Sequence, residues 1–345
     1  MEGAARKAPG AIPGLKLRKS RESPNEFPGL FLPPHRPSPR RRRGRRFPKA
    51  VAMIVRDLAD GVDVLAPAKL NLFLEILGRR PDGYHDIETL MVAVDLHDRL
   101  TFTDDPSGAV ALRCDDPGLP TGPDNLVLKA AERLKAATGC PRGARIELAK
   151  AIPAQAGLGG GSSDAAATLL ALDRLWNLRT PHHRLEQLAG EIGSDVAFFL
   201  QTPAAVCRGR GERVERVALP KALHFVLVCP PFGLSTAHVF RHLTPPERPR
   251  PIGPVLDALA CDGLAVLGRS LFNRLQPTAL TLAPELIRVR DALADLCPSH
   301  LDGHLMSGSG SAFFGLARDR AAADDAARRL ETLGLGRVRV VTCGP

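Results

Sequence analysis

Apolar positions recur along this chain with two periods, and each change of period marks a new element. From residue 62 the pattern is that of a strand. Over 64–76 the alternation puts Leu70, Leu72 and Leu74 on one face and Lys69, Asn71 and Phe73 on the other. Asp124-Asn125 then reads as the cap of a helix running to about 137, which Thr138-Gly139 stops. A short strand at 145–149 leads through a glycine-rich stretch into a helix at 165–178, where Ala165, Leu169, Leu172 and Trp176 share one face. A further helix at 184–192 ends at Gly193. After Pro220 a second pattern begins, with a strand at 224–228, a closing helix at 321–333 and a final strand at 338–341. These elements predict an α+β fold in two domains, about 61–220 and 221–345.

Composition changes this picture mainly at the N-terminus. The 345 residues are 44% hydrophobic, enough for one large or two ordinary domains. No apolar run reaches the ~18 residues of a membrane span. The seven scattered cysteines form no Cys-x2-Cys pair, which fits a reducing cytoplasm and argues against a disulfide framework or a zinc site. The net charge of +10 arises within residues 1–60, which hold 15 basic and 5 acidic residues, so the body is neutral. Residues 1–50 are rich in Pro, Gly and Arg and culminate in Arg40-Arg41-Arg42-Arg43-Gly44-Arg45-Arg46, and residues 1–60 together read as a disordered basic tail. Three readings of the tail stand: contact with nucleic acid or an acidic surface, an Arg-rich transit peptide, or a start placed ahead of an initiator at Met53.

Candidate chemistry centres on residues 151–164, Ala-Ile-Pro-Ala-Gln-Ala-Gly-Leu-Gly-Gly-Gly-Ser-Ser-Asp. Glycines let a backbone approach a ligand and take positive φ, and a helix start offers unpaired N–H groups and a positive dipole end. With two serine hydroxyls beside them, these features describe a phosphate cradle. The loop lacks the Gly-Lys-Ser/Thr ending of a Walker A loop, and Ser162 breaks the Rossmann glycine spacing. Elsewhere, Lys69 and Asn71 share a strand face that is either solvated or part of a site. Tyr84, the only tyrosine, follows a Pro-Asp-Gly turn and precedes His85. Asp195 is either a helix cap or a functional carboxylate. Thr236 and Phe240 flank a strand-to-helix turn, and Ser307-Gly308-Ser309-Gly310 forms a second small-residue loop.

Pro-x3-Gly-Leu-Gly-Gly-Gly-Ser-Ser-Asp-Ala-Ala resembles the ATP-binding loop of the GHMP kinases, which phosphorylate small-molecule alcohols; the likeness runs from about residue 62 to the end. It implies a ribosomal-protein-S5-like first domain and a ferredoxin-like second one. It also implies that ATP is bound by Asn125, Pro153, Ala154, Gln155, Ala156, Gly157, Leu158, Gly159, Gly160, Gly161, Ser162 and Ser163, with Mg²⁺ bridging the phosphates. The resemblance names no protein ligand for the metal, and Ser163 is taken as the candidate. Lys69 and Asp195 would be catalytic. Gly-Arg-Arg-Pro-Asp-Gly-Tyr-His is similar to the segment with which one branch of the family reads a cytosine ring. On that resemblance the acceptor is a cytidine-diphosphate-linked sugar alcohol, held by Asn71, Tyr84, His85, Thr236 and Phe240. Phe272-Asn273-Arg274-Leu275 departs from the family by placing arginine where an acid usually follows the asparagine. Two rivals remain: a GHMP kinase of the homoserine or mevalonate type, and a non-catalytic nucleic-acid-binding protein that works through its basic arm.

Overall fold

A computed structural model describes residues 53–201, 203–261 and 263–344. The tail readings for residues 1–52 therefore lie outside the described residues. The first half runs β1 (Ile54–Asp57), β2 (Gly61–Arg79), β3 (His85–Asp105), β4 (Val110–Cys114), α1 (Leu126–Thr138), β5 (Gly143–Ala149), α2 (Gly160–Leu175), α3 (His182–Ile192), α4 (Val196–Phe199), β6 (Ala204–Gly209) and β7 (Arg213–Arg216). The second half continues with β8 (Leu223–Cys229), α5 (Thr236–His242), α6 (Gly253–Ala260), α7 (Leu264–Ser270), β9 (Phe272–Asn273), α8 (Gln276–Leu282), α9 (Leu286–Ala294), β10 (Leu301–Met306), β11 (Phe313–Ala317), α10 (Arg320–Glu331) and β12 (Arg337–Cys343).

The α+β class expected from the pattern is the class observed. One sheet has the order β1-β2-β3-β5-β4, with β6 and β7 continuing from the other stretch of β3. The second sheet, β10-β11-β8-β12, is antiparallel throughout. Helices α1 to α4 cover the first sheet. Among them α2 lies deepest, because Ala165, Ala166, Ala167 and Ala171 are buried and their small side chains allow close approach to the sheet. An apolar cluster of Leu70, Leu72, Phe73, Val92, Phe225, Leu227 and Phe314 joins the two sheets.

Three expectations need correction. Residues 54–57 fall inside the segment assigned to the tail, yet they pair with β2. Met53 and Val55 pack against the core beside them, and Arg174 binds Asp57. The alternation also fails at Leu72, where the β2–β3 register slips between Asn71 and Phe73. A bulge inverts the facing of everything beyond it. Phe73 consequently joins Leu70 and Leu72, whereas Leu74 turns to the cleft wall that Lys69 and Asn71 line. Finally, α2 begins at Gly160 rather than 165 and ends at Leu175 rather than 178, so the serines belong to its first turn.

Arg274 has a clear structural role. β9 adds to β2 in parallel, Phe73 opposite Phe272 and Leu74 opposite Asn273. Arg274 next to it grips buried Glu75 of β2 through Nε and Nη2 at 2.8 and 2.7 Å. The backbone N–H groups of Ile76 and Arg250 complete the carboxylate's partners at 2.7 and 2.8 Å. Burial alone would raise the Glu75 pKa, but Arg274 and the backbone donors together leave it below the ordinary carboxylate range.

Candidate active site

The glycine loop takes its shape from two residues that only glycine fills without strain: Gly157 (φ 74°) and Gly159 (φ 72°). Gly159 caps α2 with no side-chain hydrogen bond, so the first N–H groups of the helix have no side-chain partner. Residues 153–162 line a cleft of about 1110 Å³ together with Asn125, whose side chain caps α1 by accepting from the Val127 N–H at 2.9 Å. The second loop closes on the first. Ser307 Oγ donates to the Gly157 carbonyl at 2.9 Å, and Asn273 Nδ2 donates to the Met306 and Gly308 carbonyls at 2.8 and 2.7 Å. Gly308 and Ser309 reach the cleft, whereas Ser307 and Gly310 stand behind it. Ser309 and Thr236 share a hydroxyl hydrogen bond of 2.8 Å.

Lys69 lies between the two loops. Its N–H donates to the Leu158 carbonyl at 2.9 Å. A Cβ at Gly159 would come within 2.9 Å of the Lys69 side chain, and one at Gly308 within 3.1 Å of Nζ. Lys69 Nζ donates to Asn71 Oδ1 at 2.5 Å, Asn71 Nδ2 to Thr89 Oγ1 at 2.8 Å, and Thr89 Oγ1 to the Phe73 carbonyl at 2.6 Å. The ammonium stands 3.7 Å from Asp195 Oδ2. Burial depresses the Lys69 pKa, and the attraction of Asp195 only partly opposes it. Of the pair, the lysine is the buried member, its side chain 4% exposed against 28% for Asp195. Asp195 heads α4 but makes no capping hydrogen bond, which leaves its carboxylate for the cleft.

At the other end of the cleft, Tyr84 is exposed and the guanidinium of Arg210 lies 5.0 Å from its ring centroid. His85 packs on Phe240 of α5 with ring centroids 5.3 Å apart. Burial, and then the charge of Arg79, lower the His85 pKa and favour the neutral ring. Arg79, Arg210, Arg241 and Thr236 line the same cleft.

Sequence reasoning missed a buried ion cluster under the nucleotide loop. Lys150 Nζ binds Asp98, and it donates to Asp164 Oδ2 at 2.9 Å. Asp98 Oδ1 accepts from the N–H groups of Ala151 and Ile152 at 2.7 and 2.9 Å, which fixes the loop's entry. Asp164 keeps one oxygen without a partner, and burial raises its pKa to about 7 despite Lys150. The only available signal was a lysine and an aspartate flanking the glycines; Asp98 is 52 residues from Lys150. Ser163 does not fit the metal role expected of it, because its hydroxyl is buried and no part of it lines the cleft. Ser162 and Asp164 do line it, and oxygen donors of this kind suit Mg²⁺. Among the described residues no group of three His, Cys, Asp or Glu side chains forms a metal site, and no helix is long and apolar enough to cross a membrane.

The chain matches the family model for the GHMP kinases N terminal domain over residues 125–202 and that for GHMP kinases C terminal over 257–334. It is 43% identical to 4-diphosphocytidyl-2-C-methyl-D-erythritol kinase of Pelotomaculum thermopropionicum over 270 residues, 78% of this chain and 93% of the relative. It is 42% identical to the kinase of the same name from Burkholderia mallei over 270 residues, 78% and 89% of the two chains. Among solved structures, a 4-(cytidine 5'-diphospho)-2C-methyl-D-erythritol kinase superposes with a TM-score of 0.68 at 40% identity, covering 82% of this chain and 99% of that one. A homoserine kinase from Cytophaga hutchinsonii superposes with a TM-score of 0.67 at 21% identity, covering 84% and 96%, a likeness of fold alone.

Proposed function

The chain belongs to the 4-diphosphocytidyl-2-C-methyl-D-erythritol kinases, a branch of the GHMP kinases, and on that footing we propose how its cleft performs the reaction. It is an ATP-dependent kinase. The reaction transfers the γ-phosphoryl group of ATP to the 2-hydroxyl of 4-diphosphocytidyl-2-C-methyl-D-erythritol, a step of the non-mevalonate route to isoprenoid precursors. A division into an ATP-binding half, 61–220, and a second half, 221–345, is supported by the two sheets, which take their strands from one half each apart from β9.

Phosphoryl transfer needs placement and charge neutralisation more than covalent help from the protein. The carrying observation is Lys69, held between both glycine loops with its ammonium 3.7 Å from Asp195. Asp195 accepts the hydroxyl proton as the alcohol attacks. Lys69 offsets charge gathering on the transferred group. Asn71 keeps the ammonium aimed. The free N–H groups at the start of α2 take the phosphate oxygens. Mg²⁺, when bound with ATP, neutralises phosphate charge, and Ser162 and Asp164 are the residues that would hold it. At the far end, Tyr84 stacks on cytosine, and His85, neutral and braced by Phe240, hydrogen-bonds its polar edge.

Asp195→Asn tests the assignment in an assay coupling ATP consumption to the cytidine substrate. The expected result is a fall in kcat of about 10²–10⁴-fold with both ligands still bound. A variant that keeps more than about a tenth of wild-type kcat removes Asp195 from the role of base. Equal use of a uridine analogue by wild type would overturn the reading of cytosine.

A further inference from the structure

We infer that Arg210 recognises the diphosphate of the acceptor substrate. The inference rests on the proposed function, and chain connectivity within the substrate carries it further. The diphosphate is the link between cytidine and the sugar alcohol. With the base on Tyr84 and the acceptor hydroxyl at Asp195, both phosphates lie on the path between these residues.

Arg210 belongs to the turn between β6 and β7, and that turn touches both ends of the path. Its guanidinium covers the Tyr84 ring at 5.0 Å. Its neighbour Gly211 (φ 122°) packs against Ser194, so closely that a Cβ there would come within 2.9 Å of the Ser194 carbonyl. Ser194 precedes Asp195. The turn is held by Glu212, whose carboxylate accepts from the Arg210 N–H at 2.7 Å. Arg210 thus reaches the cleft wall from a braced turn between stacking ring and base.

Its charge is also available. One guanidinium N–H donates to the Gly190 carbonyl at 3.3 Å. Among the described residues no carboxylate forms an ion pair with Arg210; Asp82 feels its charge, but Arg80 already holds that carboxylate. Arg79 and Arg241 line the same cleft, likewise without ion pairs among the described residues. Uncompensated guanidinium in a cleft favours phosphate, which it can bind with two parallel N–H bonds. Of the three arginines, Arg210 is the one whose turn contacts both Tyr84 and Ser194.

Calorimetric binding of cytidine, CMP and CDP to wild type, Arg210→Ala and Arg210→Lys tests this role. Wild type is expected to bind CDP more tightly than cytidine. Arg210→Ala should weaken CDP by about 10- to 150-fold, the range for hydrogen bonds to charged groups, and cytidine far less. Arg210→Lys, a point charge without the fork, should fall between. Equal losses for cytidine and CDP would reduce Arg210 to a support for the Tyr84 ring and overturn the inference. So would an unchanged CDP affinity in a variant with wild-type Tm, or a wild type that does not discriminate CDP from cytidine. Because these are binding measurements, they stand apart from turnover: a wild type inactive on the cytidine substrate sinks the proposed function, not the diphosphate assignment.

Discussion

Burial acts on Lys69 and Asp164 in opposite directions. Burial pushes the ammonium of Lys69 down and the carboxyl of Asp164 up, to about 7. Unfolded, Asp164 releases its proton near 3.8; folded, it keeps the proton until about 7. The native state therefore binds more protons between these values, so the stability this group contributes is complete below the lower one and is lost as pH rises through the upper. Asp164→Asn is neutral at every pH. In metal-free urea unfolding its stability relative to wild type should improve from pH 5 to about 7 and level off above that. A difference that stays flat or narrows would mean that Asp164 is well compensated when ionised. At this scale the sequence was half legible. Lys69, Asp195, Tyr84 and His85 stand in motifs, whereas the environment that sets Asp164 comes from Lys150, 14 residues away, and from Asp98 on a different strand.

Among the elements, the two loops depend on specific glycines rather than on glycine content. Gly160, at the centre of the run, is an ordinary first helical residue; within residues 157–161 the positive φ angles belong to Gly157 and Gly159. A side chain at 157 would collide with the Ser307 carbonyl. Gly157→Ala is expected to lose about 1–3 kcal/mol in urea unfolding from the left-handed conformation alone, and to raise KM for ATP as the loops separate. Gly161→Ala is the control. Its Cβ would meet only the Leu126 side chain at 3.6 Å, an ordinary contact, and ATP binding should persist. If both substitutions behave alike, contact between the loops does not shape the nucleotide site. Periodicity revealed most strands and helices but missed the bulge at Leu72, because alternation assumes an unbroken ladder. The start of α2 was placed late for a related reason: glycines and serines read as loop, although their N–H groups begin the helix.

For the whole molecule, Arg274 and Glu75 tie β9 to β2 across 199 residues of chain. Glu75 is fully buried, so Arg274→Ala strands a charge and should cost about 3 kcal/mol. Adding Glu75→Gln should recover part of that loss; a single-variant cost below about 1 kcal/mol would show that water reaches the carboxylate. The sequence exposed Arg274 as a departure from its family but not the reason, which exists only once β9 lies beside β2. The same separation along the chain bears on timing. Gly157 and Ser307, whose contact closes the space around Lys69, stand 150 residues apart. At a translation rate of about 5–20 residues per second, the ribosome finishes the second loop on the order of 8–30 s after the first. Throughout that interval the nascent chain holds its nucleotide loop and its lysine with one wall of the site still unmade, so competence for phosphoryl transfer arrives late in synthesis.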